Sequence, residues 1–283
     1  MKPSFYVKAA VVAVSALILS TGCGSDKSAP KSESGPAAAG QESQKERAYR
    51  AEDFADKTFA ILSGSTFDGV ARNTIGVRLC KYYNTPAEAV EAVVKGEADA
   101  TLLEEPVARK FAANNAALAV LYPMVDIENY ASIFNKKDGG KLRDNFNAFL
   151  KKIRADGTYE DMVKRWIDSQ ETPPMPKIEL KLDPAKGGRE LTFATSDCDE
   201  PFAYKAENEE LIGFDVELAQ RFAREYGHGL TISVMDFPDI IPAVSAGRVD
   251  FASNLFTFKE ERLELVDFSD PVYYGGTVVL TKK

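Results

Sequence analysis

Short apolar runs alternate along this chain with longer segments whose apolar residues recur at helical spacing. One such arrangement occurs twice. The chain reads "AVVKGEADATLL" from residue 92 and "AVSAGRVDFASN" from residue 243, so Gly96 and Asp99 return 151 positions later as Gly247 and Asp250. In the first copy Thr85 is placed to cap a helix that starts with Pro86. Glu88, three residues after the cap, completes a capping box, and Val90, Val93 and Val94 share one face. Gly96 is the expected helix stop, and residues 98–103 form an apolar run suited to a buried parallel strand. The second copy, "FPDIIPAVSAG" followed by "RVDFASNLF", predicts the same order of helix, glycine, aspartate and strand.

The alternation extends along the chain. "KTFAILSGSTFDGVARN" (57–73) predicts a strand, a Gly-Ser-Thr turn and a helix, whose first amides and the Ser65 and Thr66 hydroxyls could hold an anion. The lysine and glycine spacing of a phosphate loop are absent. Leu142, Phe146, Phe149, Leu150 and Ile153 form one helical stripe, Tyr159, Met162, Val163, Trp166 and Ile167 a second, and Phe214, Leu218 and Phe222 a third. Strands and helices in this order predict an α/β fold, in which ligands sit beyond the carboxyl ends of the strands. Glu104 follows the first repeated strand. Asn254 and Thr257 close the second, and Arg262 comes next, so a carboxylate on one side and a hydroxyl and guanidinium on the other could hold a zwitterion.

The first fifty residues have a different character. Lys2 and Lys8 precede an 11-residue apolar run (9–19), too short to span a bilayer and suited to a signal-peptide core. "LSTGC" then ends at Cys23, as a lipidation site would, although Ser20 stands where a leucine is expected; ordinary cleavage to a free exported protein is the alternative. Residues 24–48 are rich in Ser, Gly, Ala and Pro and predict a tether.

Removing Lys2 and Lys8 with the signal takes the formal net charge from −8 to −10, which argues against nucleic acid as a partner. The one histidine, His228, is expected in a solvated loop, and no cofactor or metal site is expected. Cys80 and Cys198 can pair in an oxidising compartment or remain separate thiols.

"GFDVELA", "FPDIIPAVSAGRVD", "TFKEERLELVDFSDPVYYGG", "GST" after a strand and "RADGTYEDMVKRW" together resemble the family 3 solute-binding proteins, the extracytoplasmic amino-acid receptors of ABC importers. In that family, segments resembling residues 190–283 come first and those resembling residues 57–166 come second, so this chain resembles a circular permutation. The resemblance implies a periplasmic-binding-protein type II fold, with two α/β lobes joined by two hinge strands. It implies that Arg262 holds a ligand α-carboxylate with help from Thr257 and Thr66, that Glu104 stands where an aspartate receives the α-ammonium, and that Phe237 packs on the ligand side chain. Asp199 replaces an aromatic residue, and is either a solvated acidic turn or a subsite for a cationic side chain. Against these roles stand plainer ones: a surface ion pair of Arg262 with Glu260 or Glu264, a helix-terminal charge at Glu104, and core packing at Phe237.

The expected organisation is a signal peptide (1–22), a lipidated tether (23–50), an ammonium-side lobe (51–129), a hinge crossing with helices of the other lobe (130–167), a linker joining the old termini (168–189), a carboxylate-side lobe (190–275) and a second hinge strand (276–283). The expected partners are a polar, possibly cationic amino acid, the importer's membrane subunits, and the cell envelope through the lipid. A dehydratase-like enzyme on the same fold and a sensory ligand-binding protein are the alternatives.

Overall fold

A computed structural model describes Ala48 and residues 50–283. The expected signal peptide, Cys23 and nearly all of the tether lie outside the described residues. The first part of the described chain comprises β1 (Thr58–Leu62), α1 (Phe67–Gly69), β2 (Leu79–Tyr83), α2 (Pro86–Lys95), β3 (Ala100–Glu104) and α3 (Glu105–Asn114). Next come β4 (Leu118–Phe134), α4 (Lys141–Ala155) and α5 (Thr158–Val163). After an irregular stretch follow β5 (Glu190–Thr195), the short strands β6 (Cys198–Asp199), β7 (Ala203–Lys205) and β8 (Leu211–Ile212), then α6 (Phe214–Glu225), β9 (Gly229–Val234), α7 (Phe237–Ser245), β10 (Phe251–Thr257) and β11 (Asp267–Lys282).

Eight strands form one mixed sheet in the order β2-β1-β3-β11-β4-β10-β5-β9. The outer three on each side are parallel among themselves. Between them run β4 and β11, antiparallel to each other and to their neighbours. Both are longer than the hinge strands expected at 130–137 and 276–283, because their mutual pairing begins earlier in the chain, at Leu118 and at Asp267.

The repeated phrase has the same structural outcome in both halves of the sheet. The α2 capping box forms as expected, with the Thr85 side chain accepting from Glu88 N and the Glu88 carboxylate accepting from Thr85 N. Gly96 and Gly247 follow their helices with φ of +78° and +66°, a region that favours glycine. Asp99 Oδ2 then accepts from Thr58 N at 2.8 Å, and Asp250 Oδ2 accepts from Thr192 N at 2.8 Å. Each aspartate thus ties the start of its strand to the neighbouring parallel strand, β3 to β1 and β10 to β5.

Apolar side chains cover both faces of the sheet. The helices before the irregular stretch pack on the half that follows it: Phe146 of α4 meets Phe222 of α6 edge-on at 5.1 Å. Trp166 Nε1 donates to Glu217 Oε2 at 2.7 Å, and Arg165 and Arg221 pair with the same fully buried carboxylate. At the other seam, Thr281 Oγ1 donates to the carbonyl of Asp99 at 2.8 Å, which brings the end of β11 beside the start of β1.

Candidate functional site

Arg262 lies in a short 3-10 turn (Glu260–Glu264) after β10 and is half-buried. Among the described residues it makes no ion pair with Glu260 or Glu264. Its Nη1 donates to Thr257 O at 3.0 Å and its Nη2 to Gly64 O at 3.2 Å. Burial pulls the guanidinium below its ordinary pKa, and the charges of Glu261 and Glu128 oppose that shift. Thr257 is buried at the end of β10.

Gly64 belongs to the turn after β1. Its φ is +75°, and a Cβ there would stand 3.2 Å from Pro238 Cβ, so glycine lets this turn approach the start of α7. The turn and Arg262 both line an open groove of about 720 Å³, with Ser65, Thr66, Asp126 and Lys259 also in its walls. A groove of about 770 Å³ elsewhere, between the 172–175 segment and β7–β8, holds none of the predicted site residues.

Two hydroxyls of the turn are already engaged. Ser65 Oγ donates to Leu62 O at 2.7 Å and accepts from Phe67 N, so it closes its own turn. Thr66 Oγ1 donates to Glu128 Oε1 at 3.4 Å. The helix expected there is a three-residue α-turn that runs into wider π turns over residues 70–75.

The acidic residues gather nearby. Glu104 ends β3 and occupies the N-cap position of α3 without making a side-chain cap. Burial pushes its carboxyl well above the usual range, and the charges of Asp199 and Glu128 add to the shift. Glu128, in β4, is buried; its Oε2 accepts from Thr277 Oγ1 at 2.8 Å and from Tyr130 OH at 3.1 Å. Its charge therefore reaches both Arg262 and Glu104. No local signal in the sequence marks this residue, since Asp126 and Asn129 lie beside it in the same strand.

Asp199 is buried rather than part of a solvated turn. Ser196 Oγ donates to it, as does Asn254 Nδ2 at 3.0 Å, and burial still raises its carboxyl. Asn254 also accepts from Ser196 N and Thr195 Oγ1, so it fixes the turn that carries Asp199. Phe237 is half-exposed and stacks on Phe256, with ring centroids 5.3 Å apart.

Two further expectations concern residues outside this site. His228 is buried, not solvated: its Nδ1 accepts from Arg189 N at 3.0 Å, and burial lowers its pKa. Cys80 and Cys198 are separate thiols, and burial with Asp199 nearby pushes Cys198 up to about 12.

Residues 191–283 match the family model of bacterial extracellular solute-binding proteins, family 3. The arginine-binding extracellular protein ArtP of Bacillus subtilis (strain 168) is 37% identical over 97 residues, which cover 34% of this chain and 38% of ArtP. The cyclohexadienyl dehydratase of Pseudomonas aeruginosa is 30% identical over 103 residues, 36% of this chain and 38% of that enzyme. Among solved structures, an ancestral arginine-binding protein bound to arginine is 40% identical over 30% of this chain and 37% of its own, with a TM-score of 0.29. The chain thus spans less than two-fifths of the length of each of these relatives. Through residues 191–283, the chain is thus similar to the bacterial extracellular solute-binding proteins, family 3.

Proposed function

We propose that this protein is an extracytoplasmic receptor that captures a cationic α-amino acid and delivers it to the membrane subunits of an ABC importer. The observation that carries this reading is that Arg262 reaches the β1 turn at Gly64 while Thr66 of the same turn donates to the buried Glu128 carboxylate, with Glu128 and Asp199 both within electrostatic reach of Glu104. Arg262, with Thr257 and Thr66 beside it, takes the α-carboxylate by charge-assisted hydrogen bonds. The acids take the positive groups. A cationic ligand favours the ionised form of acids whose carboxyls burial has raised, and a neutral amino acid does so only through its ammonium group. The arginine-binding relative ArtP supports the same ligand class.

In this reading the two halves of the sheet are lobes that hinge on β4 and β11, and the chain is a circular permutation of the family order. Three observations support it. The repeated Asp99 and Asp250 ties make the halves equivalent. Trp166 and Arg165, ahead of the irregular 168–189 stretch, pack on Glu217 beyond it. The family match stops at residues 191–283, as a linear comparison would if the second block had been moved in front. Cys23 carries a lipid that holds the receptor at the cell envelope, with residues 23–50 as its tether.

A thermal-shift series with arginine, lysine, ornithine, histidine, cystine and glutamine tests this function. A specific ligand at 100 times its Kd adds about 2.7 kcal/mol of stability. Stabilisation by the cationic members is expected. No response to any amino acid contradicts the reading, and chemical conversion of a stabilising compound would make the protein an enzyme.

A further inference from the structure

Glu128 is 4% exposed in the middle of β4 and, among the described residues, forms no ion pair. Three hydroxyls from separate elements hold its carboxylate: Thr66 after β1, Tyr130 on its own strand, and Thr277 on β11. A carboxylate can accept about four hydrogen bonds, so three donors leave room for one more. Neutral donors hold the group in place without cancelling its charge, and a buried charge without a counter-ion favours the arrival of a cation. The position also suits an amino acid. Thr66 brings Glu128 to the turn that faces Arg262, while Thr277, whose hydroxyl holds Glu128, pairs in register with Glu104.

We propose that Glu128 is a ligand-binding residue that supplies the negative charge opposite the α-ammonium group of the bound amino acid. This assignment rests on the proposed receptor function and moves to Glu128 a role that the family resemblance gives to Glu104. Glu104 stands at the end of β3 with no hydroxyl holding its side chain, and burial beside the charges of Asp199 and Glu128 raises its carboxyl, so it is the less firmly placed of the two acids. Because the ammonium and carboxylate sit on one carbon, a carboxylate within electrostatic reach of Arg262 can serve the first group while Arg262 serves the second.

The test is titration calorimetry of the full chain with arginine and with 5-guanidinopentanoate, the same molecule without its ammonium group. Wild type is expected to favour arginine by about 10- to 100-fold, the range for one charge-assisted contact. Glu128→Gln keeps the shape, and is expected to weaken arginine by a similar factor while the analogue binds as before, which closes the gap. Glu104→Gln is expected to keep most of the gap, and it carries the test alone if Glu128→Gln does not fold. An unchanged ratio in Glu128→Gln, including an equal loss for both compounds, overturns the assignment, as does a gap closed by Glu104→Gln. If wild type binds neither compound, the receptor reading fails and this assignment with it; if wild type binds arginine and the ratio survives Glu128→Gln, only the assignment fails.

Discussion

The Arg262 guanidinium donates to the carbonyl of Gly64 at 3.2 Å across 198 positions of sequence, and this bond bridges the groove between the β1 turn and the turn after β10. Its other nitrogen is held by Thr257 O. Both acceptors are neutral carbonyls, and an arriving carboxylate is a stronger acceptor than either. Arg262→Ala is therefore expected to weaken an amino-acid ligand by about 10- to 150-fold, the equivalent of about 1.5–3 kcal/mol, with only a small change in the melting temperature of the ligand-free protein. Calorimetry and differential scanning fluorimetry read the two effects. Wild-type affinity in the variant refutes the role.

Asp199 offers a test of side-chain charge. Its carboxyl is fixed by Ser196 and Asn254, so Asp199→Asn alters charge with little change of shape. Arginine is expected to lose about 10-fold or more, while citrulline, its neutral isostere, loses little. Equal effects on both ligands remove Asp199 from the cation subsite.

Stability should depend on pH through Asp215, which is buried in the first turn of α6 with its Oδ2 lacking a partner among the described residues. Burial, and then the charge of Asp199, raises its carboxyl well above the usual range. A raised folded pKa means that the folded state binds the proton first. The contribution is complete below about pH 4 and is lost as pH rises through the folded value. His228 acts in the opposite sense: its lowered folded pKa gives a contribution complete above about pH 6.5 and lost as pH falls through the folded value. The melting temperature is expected to rise as pH is lowered through the folded value of Asp215, down to where His228 begins to take its proton. Asp215→Asn should flatten that rise and be at least as stable as wild type at the alkaline end. An unaltered slope in scanning calorimetry contradicts this account.

The proposed permutation predicts that the chain can be reordered. The end of β11 and the start of β1 both bond to Asp99. Ends that lie close together tolerate being joined. A chain that begins at Glu190, joins Lys283 to Lys57 through a short Gly/Ser linker and ends at Ser169 is expected to fold and to bind its ligand within a few-fold of the original. A reordered chain that aggregates, or folds without binding, counts against the permuted-receptor reading.

On the proposed reading, Cys23 governs where the protein resides. Two or more acyl chains anchor a protein stably, whereas one binds only marginally. Cys23→Ser is expected to move the protein from the membrane pellet to the soluble exported fraction. Identical fractionation of both forms removes the lipid anchor from the proposal.

The features legible in the sequence are those set by near neighbours. The Thr85–Glu88 capping box spans three residues, and the glycine stop after α2 needs only a positive φ. The stripe of Phe214, Leu218 and Phe222 is a property of helical spacing and is buried as its period demands. Tertiary structure alone decided the rest. Glu128 becomes a held, buried carboxylate only because Thr66 and Thr277, 62 and 149 positions away, meet it at the two long strands. Asp199 leaves solvent because Asn254, 55 positions on, closes over it, and His228 is buried where Arg189 N reaches its ring. A polar side chain in a strand carries no local mark of the face or the partner it will meet. Burial and charge state follow from which distant segments pair, and that depends on the whole sheet.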